Sequence, residues 1–284
     1  MADTTQSFFG TPAVAIITGA SKGIGRAIAI EFARRFSEGL LLVLTGRSEK
    51  DLQETASLIK ADSSFLSSKM TVRCVVGDLQ NQATIQNLIE RLFENIDPSQ
   101  YQHAILVNNA ASTGDVSKYV RDFGLNDVKE LQDYVFLNVN CPLILVSKFL
   151  SIFSSTIPDT SEKGPSKITI IQLSSNAALV PIKGWSMYCT GKAARAALHK
   201  IIAAEEPNVR VLSYSPGPVA TDMLRYSRDN TRDPDTSRMT RNSYERSVQP
   251  IETVTVMCQV LEEDKYESGA HVSFTDIVGP PKNG

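Results

Sequence analysis

Ala13-Val-Ala-Ile-Ile-Thr-Gly-Ala-Ser-Lys-Gly-Ile-Gly25 is the stretch that decides the fold of this chain. Its first six residues form an apolar run suited to a buried parallel strand, and a helical pattern follows from Arg26 to Phe36. The glycines between them let the backbone approach a pyrophosphate, whose charge meets the free N–H groups and positive dipole of the helix. The spacing Gly-x-x-x-Gly-x-Gly therefore predicts a phosphate cradle, and the alternative is a plain tight turn without a ligand.

Apolar and amphipathic segments alternate along the rest of the chain. Strand patterns lie at 40–45, 72–78, 104–111, 168–173, 209–214 and 269–276, and helical patterns lie at 49–61, 82–95, 128–149, 188–204 and 251–261. This order predicts an α/β fold, with a single Rossmann-type domain over residues 1–284. Its doubly wound parallel sheet of about seven strands should carry helices on both faces and bind its ligand at the strand carboxyl ends.

Polar segments separate these elements. Residues 1–11 are predicted to be loose, and the stretches 63–68 and 154–167 are predicted to be surface loops. The polar, charged segment 227–250 is interpreted as a substrate lid in preference to a variable loop. No internal repeat or interdomain linker is visible.

Charge and composition favour a small-molecule ligand. The 284 residues are 42% hydrophobic and 21% charged, and their formal net charge is −2. No polybasic stripe argues for nucleic acid or for an anionic membrane surface. No apolar run reaches the roughly 20 residues that cross a bilayer, and the N-terminus lacks the pattern of a signal peptide. We therefore expect a soluble, cytoplasmic protein.

The cysteines and histidines give no sign of a metal site. Four cysteines are widely spaced, without a Cys-x-x-Cys motif, which is typical of reduced thiols in an intracellular protein. We expect all four to be packing residues: Cys74, Cys141, Cys189 and Cys258. The three histidines, His103, His199 and His271, are scattered.

The second strand pattern indicates which nicotinamide cofactor is used. It ends in Gly46-Arg47-Ser48, whereas an NAD site usually places an acid here to accept the ribose 2′-hydroxyl. Arg47 suits a 2′-phosphate, and Lys22 in the glycine turn adds a second cation, so NADPH is predicted. The alternative is that Arg47 is simply solvated.

Asp78 ends the third strand pattern. It could accept from the adenine amino group or cap a helix N-terminus, and the two roles are compatible.

A second motif lies in the middle of the chain. Tyr188 and Lys192 are four residues apart on a helix, so they share one face and an ammonium can sit beside a phenol. A nearby positive charge favours the phenolate and makes the phenol a better general acid at working pH. With eight tyrosines in the chain the pair alone is weak evidence, but Ser175, at the end of the preceding strand, strengthens it.

Asn138 lies in an apolar part of the helical pattern 128–149. A buried asparagine needs hydrogen-bond partners. We therefore predict that Asn138 is either a structural latch or part of a proton route.

Together these residues resemble the short-chain dehydrogenase/reductase family over nearly the whole chain. The matching residues are Thr18-Gly19 with Gly23 and Gly25, Asp78-Leu79, Asn108-Asn109-Ala110, Asn138, Ser175, Tyr188, Lys192 and Pro216-Gly217. One departure is Ala111, where the family usually has glycine. The extra methyl group is expected to shift the chain slightly near the cofactor without removing a catalytic group.

The resemblance implies a mechanism, in which hydride passes from NADPH to a carbonyl while Tyr188 donates a proton. Ser175 would hold the carbonyl oxygen, and Lys192 would lower the pKa of Tyr188 and hold the nicotinamide ribose. Asn138 would seat a water that links Lys192 to solvent. The cofactor contacts that it implies are Gly19, Ser21, Lys22, Gly23, Ile24, Gly25, Arg47, Asp78, Leu79, Asn109, Tyr188, Lys192, Pro216 and Gly217.

Longer strings resemble one branch of the family, whose members reduce carbonyls on pterin side chains. They include the stretches 183–195, 205–212 and 268–272. The resemblance implies that Asp276 takes N–H donors from the pterin's amino-pyrimidine edge. The alternative for Asp276 is an exposed acid in a fraying tail.

The family also suggests an assembly and leaves two other functions open. Its subunits commonly pair through the helices at 128–149 and 188–204, which implies a homodimer. Within the family, the alternative is a broad NADPH-dependent carbonyl or diketone reductase. A non-catalytic nucleotide-sensing protein is a distant alternative, since it would not need Ser175, Tyr188 and Lys192.

Overall fold

The computed structural model describes residues 7–62, 69–154 and 167–279. Within these ranges seven strands form one sheet: β1 Ala13–Thr18, β2 Leu40–Gly46, β3 Met70–Val76, β4 His103–Asn108, β5 Lys167–Leu173, β6 Val209–Ser215 and β7 His271–Ser273. All neighbouring strands are parallel, and their order is β3-β2-β1-β4-β5-β6-β7. The order reverses at β1, so the crevice beyond the carboxyl ends of β1 and β4 is the switch point where ligands bind.

Helices cover both faces of the sheet. In the described ranges they are α1 Gly23–Arg35, α2 Glu49–Ala61, α3 Ile85–Phe93, α4 Val128–Val135, α5 Cys141–Phe153, α6 Ser186–Glu205, α7 Asp222–Asn230, α8 Pro234–Glu245, α9 Pro250–Glu263 and α10 Phe274–Val278. A π-helical turn, Phe136–Asn140, joins α4 to α5. The fold class expected from the sequence, a doubly wound parallel sheet with helices on both faces, is confirmed.

The central strand β1 shows why the core has two layers. Ala13, Ala15 and Ile17 pack with residues of α1, α2 and α9, whereas Val14 and Ile16 pack with residues of α3 and α5. No side chain of β1 is more than 1% exposed. Burial of each of the larger side chains of β1, Val14, Ile16 and Ile17, contributes about 1.5–3 kcal/mol. Strand register is therefore strongly specified here, and it fixes the position of the turn that follows β1.

The last strand is shorter than the sequence predicted. The pattern 269–276 was expected to be a strand, but β7 ends at Ser273 and residues 274–278 form α10. β7 pairs with β6 up to the couple Ser215 and Ser273, and Pro216 then ends β6. Because no strand continues beside it, the chain turns into a helix, and Asp276 lies on that helix.

Two helices occupy the polar segment 227–250. Thr221 caps α7 by accepting from the N–H of Leu224, and Asp233 caps α8 by accepting from the N–H of Thr236. The buried positions of α8 are threonines, Thr236 and Thr240, so apolar periodicity does not reveal the helix.

The start of the described chain packs on the core. Phe8 and Phe9 are buried, and the ring centroids of Phe9 and Phe36 lie 5.0 Å apart. Residues 7–11 thus differ from the loose N-terminus that the polar composition suggested. The other expectations on 1–6, 63–68, 155–166 and 280–284 lie outside the described residues.

One helical stretch meets the length and composition of a membrane span, contrary to the expectation that no run would. It covers Leu125–Phe153, and an 18-residue window within it has a mean hydropathy of 1.7, with 33% of that window buried in the fold. Core helices pass the same test, and here Leu145, Val146 and Phe149 pack into the layer with β1 and β4. One face of the stretch therefore packs in the core, while other apolar residues of it are exposed, among them Leu143 and Ile144.

Candidate active site

At and just after the turn between β1 and α1, glycines stand where a side chain would not fit. Gly19 has a φ of +67°, which favours glycine. A Cβ on Gly25 would collide with the carbonyl oxygen of Gly19 and lie 2.7 Å from Nδ2 of Asn109. Lys22, the N-cap residue of α1, places no side-chain acceptor on the first N–H groups of the helix. These N–H groups and the helix dipole therefore suit a phosphate.

Asn109 fixes this turn from the side of β4. Its Nδ2 donates to the carbonyl oxygens of Thr18 at 2.8 Å and of Gly19 at 3.1 Å. The backbone N–H groups of Asn109 and Ala110 both donate to Oγ1 of Thr18 at 3.0 Å. Ala111, the departure from the family pattern, is half-buried and follows this bonded segment. The segment after β4 is thus held to the end of β1.

Two cations flank the turn. Ser21 lies against the end of β2, since a Cβ on Gly46 would be 3.0 Å from its Oγ, and the exposed Arg47 follows directly. Lys22 is also exposed and forms an ion pair with Asp222 at the start of α7. These residues fit a nicotinamide dinucleotide: the turn could hold its pyrophosphate, and the two cations could hold a further phosphate group.

Other expected cofactor contacts line the same edge of the sheet. The side chain of Ile24 packs against the core, and that of Leu79 is buried in it. Both residues would therefore contact a ligand through their backbone groups. Gly217 has a φ of +70°, and the carbonyl oxygen of Pro216 accepts from Oγ1 of Thr253 at 2.9 Å. The backbone after β6 is therefore held in a tight turn.

Asp78 caps a turn and not a helix. Its Oδ1 accepts from the N–H of Gln80 at 3.0 Å. The next helix, α3, begins at Ile85 with Thr84 as its N-cap residue, so the predicted N-cap role is wrong. The alternative role, as an acceptor for adenine, stays a prediction.

Ser175, Tyr188 and Lys192 come together beyond the carboxyl end of β5. The Ser175 hydroxyl acts on the pKa of the Tyr188 phenol, and its Oγ accepts from the N–H of Ala177 at 3.2 Å. Nζ of Lys192 lies 5.5 Å from the centroid of the Tyr188 ring and donates to the carbonyl oxygen of Leu173 at 2.6 Å. The Trp185 ring packs edge-on against Tyr188, with centroids 5.5 Å apart. The side chains singled out by spacing are thus neighbours in the fold.

Two influences act on the pKa of Tyr188. Burial raises it, while the Ser175 hydroxyl and the charge of Arg195 oppose this rise. Burial and the charge of Arg195 also bring the pKa of Lys192 well below its ordinary value. Arg195 is thus a further cation that acts on the phenol, and the expected effect of Lys192 on the pKa of Tyr188 stays a prediction.

Asn138 lies in the π-helical turn and is 2% exposed. Its Nδ2 donates to the carbonyl oxygen of Tyr134 at 3.0 Å, and its Oδ1 accepts from the N–H of Ser112 at 3.1 Å. These bonds tie the loop after β4 to the helix beneath it. They give Asn138 the geometry of a latch.

Three buried residues on or against α6 were given no role by the sequence analysis. Arg195 and His199 are fully buried, seven and eleven residues after Tyr188, on the same face of α6. Tyr134 crosses this helix at Gly191, where any Cβ would collide with the phenol oxygen. The repeat of three and four residues from Tyr188 to His199 is the signal that could have revealed the first two.

Asp276 is exposed on α10 and lies close to His271, on whose pKa its charge acts. His271 connects it to the loop after β5: Nδ1 lies 3.4 Å from Oγ of Ser174, and Nε2 lies 3.3 Å from Oδ1 of Asn176. These two residues flank Ser175. The structure therefore places Asp276 on the same side of the sheet as the proposed catalytic residues.

A cavity of about 650 Å³ opens between α8, α10 and the turn after β6. Its wall is mostly apolar and includes Pro218, Met239, Phe274 and Val278. Outside this lining, Nε1 of Trp185 donates to Oγ1 of Thr231 at 3.0 Å, in the short connection between α7 and α8. The segment predicted as a lid thus lines this cavity. It is also hydrogen-bonded to Trp185, whose ring packs on Tyr188.

No set of three or more His, Cys, Asp or Glu side chains converges as metal ligands anywhere in residues 7–62, 69–154 and 167–279. All four cysteines are free thiols, and Cys141 and Cys258 are buried. The site therefore offers phenol, hydroxyl, amide and cationic groups around a phosphate cradle.

Comparison with known proteins agrees with this chemistry. The family model described as short chain dehydrogenase matches residues 13–232. The chain is 40% identical over 266 residues to the sepiapterin reductase of Meriones unguiculatus and 38% identical to that of Mus musculus, covering 93% of this chain and 97% of each relative. The crystal structure of the KRED1-Pglu enzyme superposes with a TM-score of 0.69 at 25% identity, over 92% of this chain and 100% of that one. The chain therefore belongs to the short-chain dehydrogenase family.

Proposed function

We propose that this chain is an NADPH-dependent sepiapterin reductase. It reduces side-chain carbonyls of pterins such as sepiapterin and 6-pyruvoyl-tetrahydropterin, in tetrahydrobiopterin biosynthesis. The observation that carries the proposal is the grouping of Ser175, Tyr188 and Lys192 beside an open phosphate cradle. Similarity to sepiapterin reductases over 93% of the chain supports the pterin as substrate class.

The cradle and its cations bind the cofactor. The first N–H groups of α1 meet the pyrophosphate, Arg47 and Lys22 meet the 2′-phosphate, and Asp78 accepts from the adenine amino group. When bound, NADPH supplies the hydride that adds to the carbonyl carbon. Because Arg47, and not an acid, stands at the end of β2, NADPH is preferred over NADH.

Tyr188 donates the proton. Its O–H bond breaks as the new O–H bond forms on the substrate oxygen, which leaves the alcohol and a Tyr188 phenolate. Ser175 donates a hydrogen bond to the same substrate oxygen and sets its distance from the phenol. Both side chains lie beyond β5 on rigid elements, so their geometry is set before substrate arrives.

Lys192 and Asn138 complete the site. Lys192 extends from α6 to the end of β5, where it holds the nicotinamide ribose alongside its bond to Leu173. Asn138, bonded on both sides of its amide, positions a water through which Tyr188 is reprotonated from solvent.

Asp276 orients the pterin. An exposed carboxylate accepts two N–H donors from an amino-pyrimidine edge, a charge-assisted pairing that fixes the direction of the ring. The helices α7 and α8 form the lid, which closes the cavity beside α10 and excludes water from the reaction.

The protein acts as a cytoplasmic homodimer. Val135, Leu143, Ile144 and Ile201 are apolar yet 41–52% exposed on α4, α5 and α6, and a second copy would cover them. Sedimentation at micromolar concentration should give a dimer, and a monomer would contradict the assembly.

One experiment tests the proposed function directly. Purified protein is assayed with sepiapterin and with a non-pterin diketone, each with NADPH and with NADH. A much higher kcat/KM for sepiapterin with NADPH supports the proposal. Equal kcat/KM for both substrates would instead favour a broad carbonyl reductase, and binding without turnover would favour a nucleotide sensor.

A further inference from the structure

Arg195 is a fully buried cation to which the mechanism above gives no task. It follows Lys192 by three residues and Tyr188 by seven, so it extends their face of α6. Its Nη2 donates to the carbonyl oxygen of Asn108 at 2.6 Å, and its Nη1 donates to that of Ala110 at 2.9 Å. Both acceptors lie where β4 ends, beside the glycine turn.

The same backbone segment is held from its other side. Asn109 and Ala110 donate to Thr18, and the Asn109 side chain reaches the carbonyl oxygen of Gly19. Arg195 therefore connects the helix that carries Tyr188 with the floor of the phosphate cradle. We refer to this arrangement of Arg195 with the segment 108–110 as the β4 clamp.

His199 closes the β4 clamp without adding charge. Its Nδ1 donates to the backbone oxygen of Arg195 at 2.8 Å, so its Nε2 is the acceptor for Nδ2 of Asn108 at 3.4 Å. Burial lowers the pKa of His199 to about 3, which keeps the ring neutral. His199 thus adds a neutral contact to the clamp, whereas Arg195 supplies its charge and the bonds to the two carbonyl oxygens.

The surroundings of Arg195 do not neutralise its charge. In the part of the chain that the structure describes, the ionisable groups that interact with it are Tyr134 from α4, Cys141 from α5, and Tyr188, Lys192 and His199 from α6 itself. None is a carboxylate. A buried cation without an ionised partner is costly, and a neutral side chain could donate to carbonyls as well. Hydrogen bonding to the carbonyl groups therefore does not explain the positive charge of Arg195.

We propose that Arg195 is a positioning residue of the reaction: it fixes the segment 108–110 to α6 and stabilises the Tyr188 phenolate that proton donation leaves. This inference rests on the proposed function only in that Tyr188 is the proton donor. The neighbouring positive charge also opposes the effect of burial on the pKa of Tyr188.

The test compares three variants with the wild type. Arg195→Met removes charge and clamp, Arg195→Lys keeps the charge but cannot reach both carbonyls, and His199→Gln alters the clamp while keeping the charge. Each is measured for melting temperature, NADPH affinity by fluorescence titration, and the pH dependence of kcat. Ketone reduction needs the phenol protonated, so kcat falls as pH rises through the pKa of Tyr188.

Without the cation, the phenolate is less stable and this fall moves to higher pH. We expect a shift of about one pH unit in Arg195→Met and none in Arg195→Lys or His199→Gln. NADPH binding should weaken about tenfold in both Arg195 variants, because bonds from a charged donor to the cradle floor are lost.

A folded Arg195→Met variant with the wild-type pH profile overturns the electrostatic role, and wild-type NADPH affinity in both Arg195 variants overturns the positioning role. If Arg195→Met does not fold, Arg195→Lys decides: its profile must stay in place while NADPH binding weakens. A wild type inactive on sepiapterin and diketone alike refutes the proposed function instead, and the fluorescence titrations still decide the clamp.

Discussion

The buried face of α6 and the exposed rim formed by α7, α8 and α10 are built by opposite means. On the α6 face, Tyr188, Lys192, Arg195 and His199 are at most 9% exposed, and their polar atoms are bound mainly to backbone carbonyls. On the rim, Asp222 and Asp276 are exposed, and the contacts of Asp222 are surface ion pairs. The contrast suggests that the fold fixes the chemistry inside and leaves substrate choice to the surface.

The largest effect is expected when the phenol oxygen of Tyr188 is removed from the α6 face. Tyr188→Phe should lower kcat by about 10²–10⁴, because the proton donor is lost while the ring still packs on Trp185. NADPH affinity should stay near the wild-type value. Tyr226→Phe, at an exposed tyrosine of α7, is the matched control. Appreciable kcat in the Tyr188 variant would remove the phenol from the mechanism.

The next effect concerns the cofactor cradle. Gly25→Ala places a methyl group against the carbonyl oxygen of Gly19, and relief of that collision must distort the turn. Overpacking of this kind costs about 1–3 kcal/mol, so NADPH binding should weaken roughly ten- to hundredfold in a fluorescence titration. Gly124→Ala meets nothing within 4 Å and should bind as the wild type does. Unchanged affinity in the Gly25 variant would place the phosphates elsewhere.

A change on the rim should separate substrates and leave chemistry intact. Asp276→Ala is expected to raise KM for sepiapterin about tenfold, since charge-assisted bonds to the ring are lost. KM for a simple diketone and kcat for both should change little. Steady-state kinetics with the two substrates measure the split. Equal effects on both KM values would discard the anchor.

The smallest effect is expected where the rim touches the cradle. Asp222→Asn frees Lys22 from its ion pair and removes a negative charge beside the expected 2′-phosphate. Exposed pairs of this kind contribute about 0.2–1 kcal/mol. NADPH should therefore bind up to about fivefold more tightly at low salt, with the gain fading as salt screens it. Asp264→Asn breaks a distant exposed pair with Arg210 and controls for net charge. Weaker binding in the Asp222 variant would contradict this reasoning.

The same contrast explains what could be predicted from the sequence. β1 and α2 begin and end where the patterns placed them, because apolar runs and a serine N-cap are local signals. The helices of the rim were not predicted, since α8 buries threonines where apolar residues would have revealed it. Asp78 was assigned a possible N-cap role because the helical pattern placed the next helix from residue 82, whereas α3 begins at Ile85.

Arg195 shows the limit most clearly. An arginine in a helix is normally expected at the surface, and only the tertiary contact with the end of β4 explains its complete burial. Tyr188 and Lys192 were predicted because a tyrosine and a lysine four residues apart on a helix already indicate an ammonium beside a phenol. Arg195, the second cation of the same face, carried no such indication until the contact with the end of β4 was known.

Trp185 gives the molecule a built-in optical reporter. It is the chain's single tryptophan, its ring packs on Tyr188, and its indole N–H is bonded to Thr231 between α7 and α8. All indole emission therefore originates from one place, where the buried face meets the rim. Stopped-flow emission traces can follow nucleotide arrival and rim movement in the unlabelled enzyme, in real time and without an engineered dye.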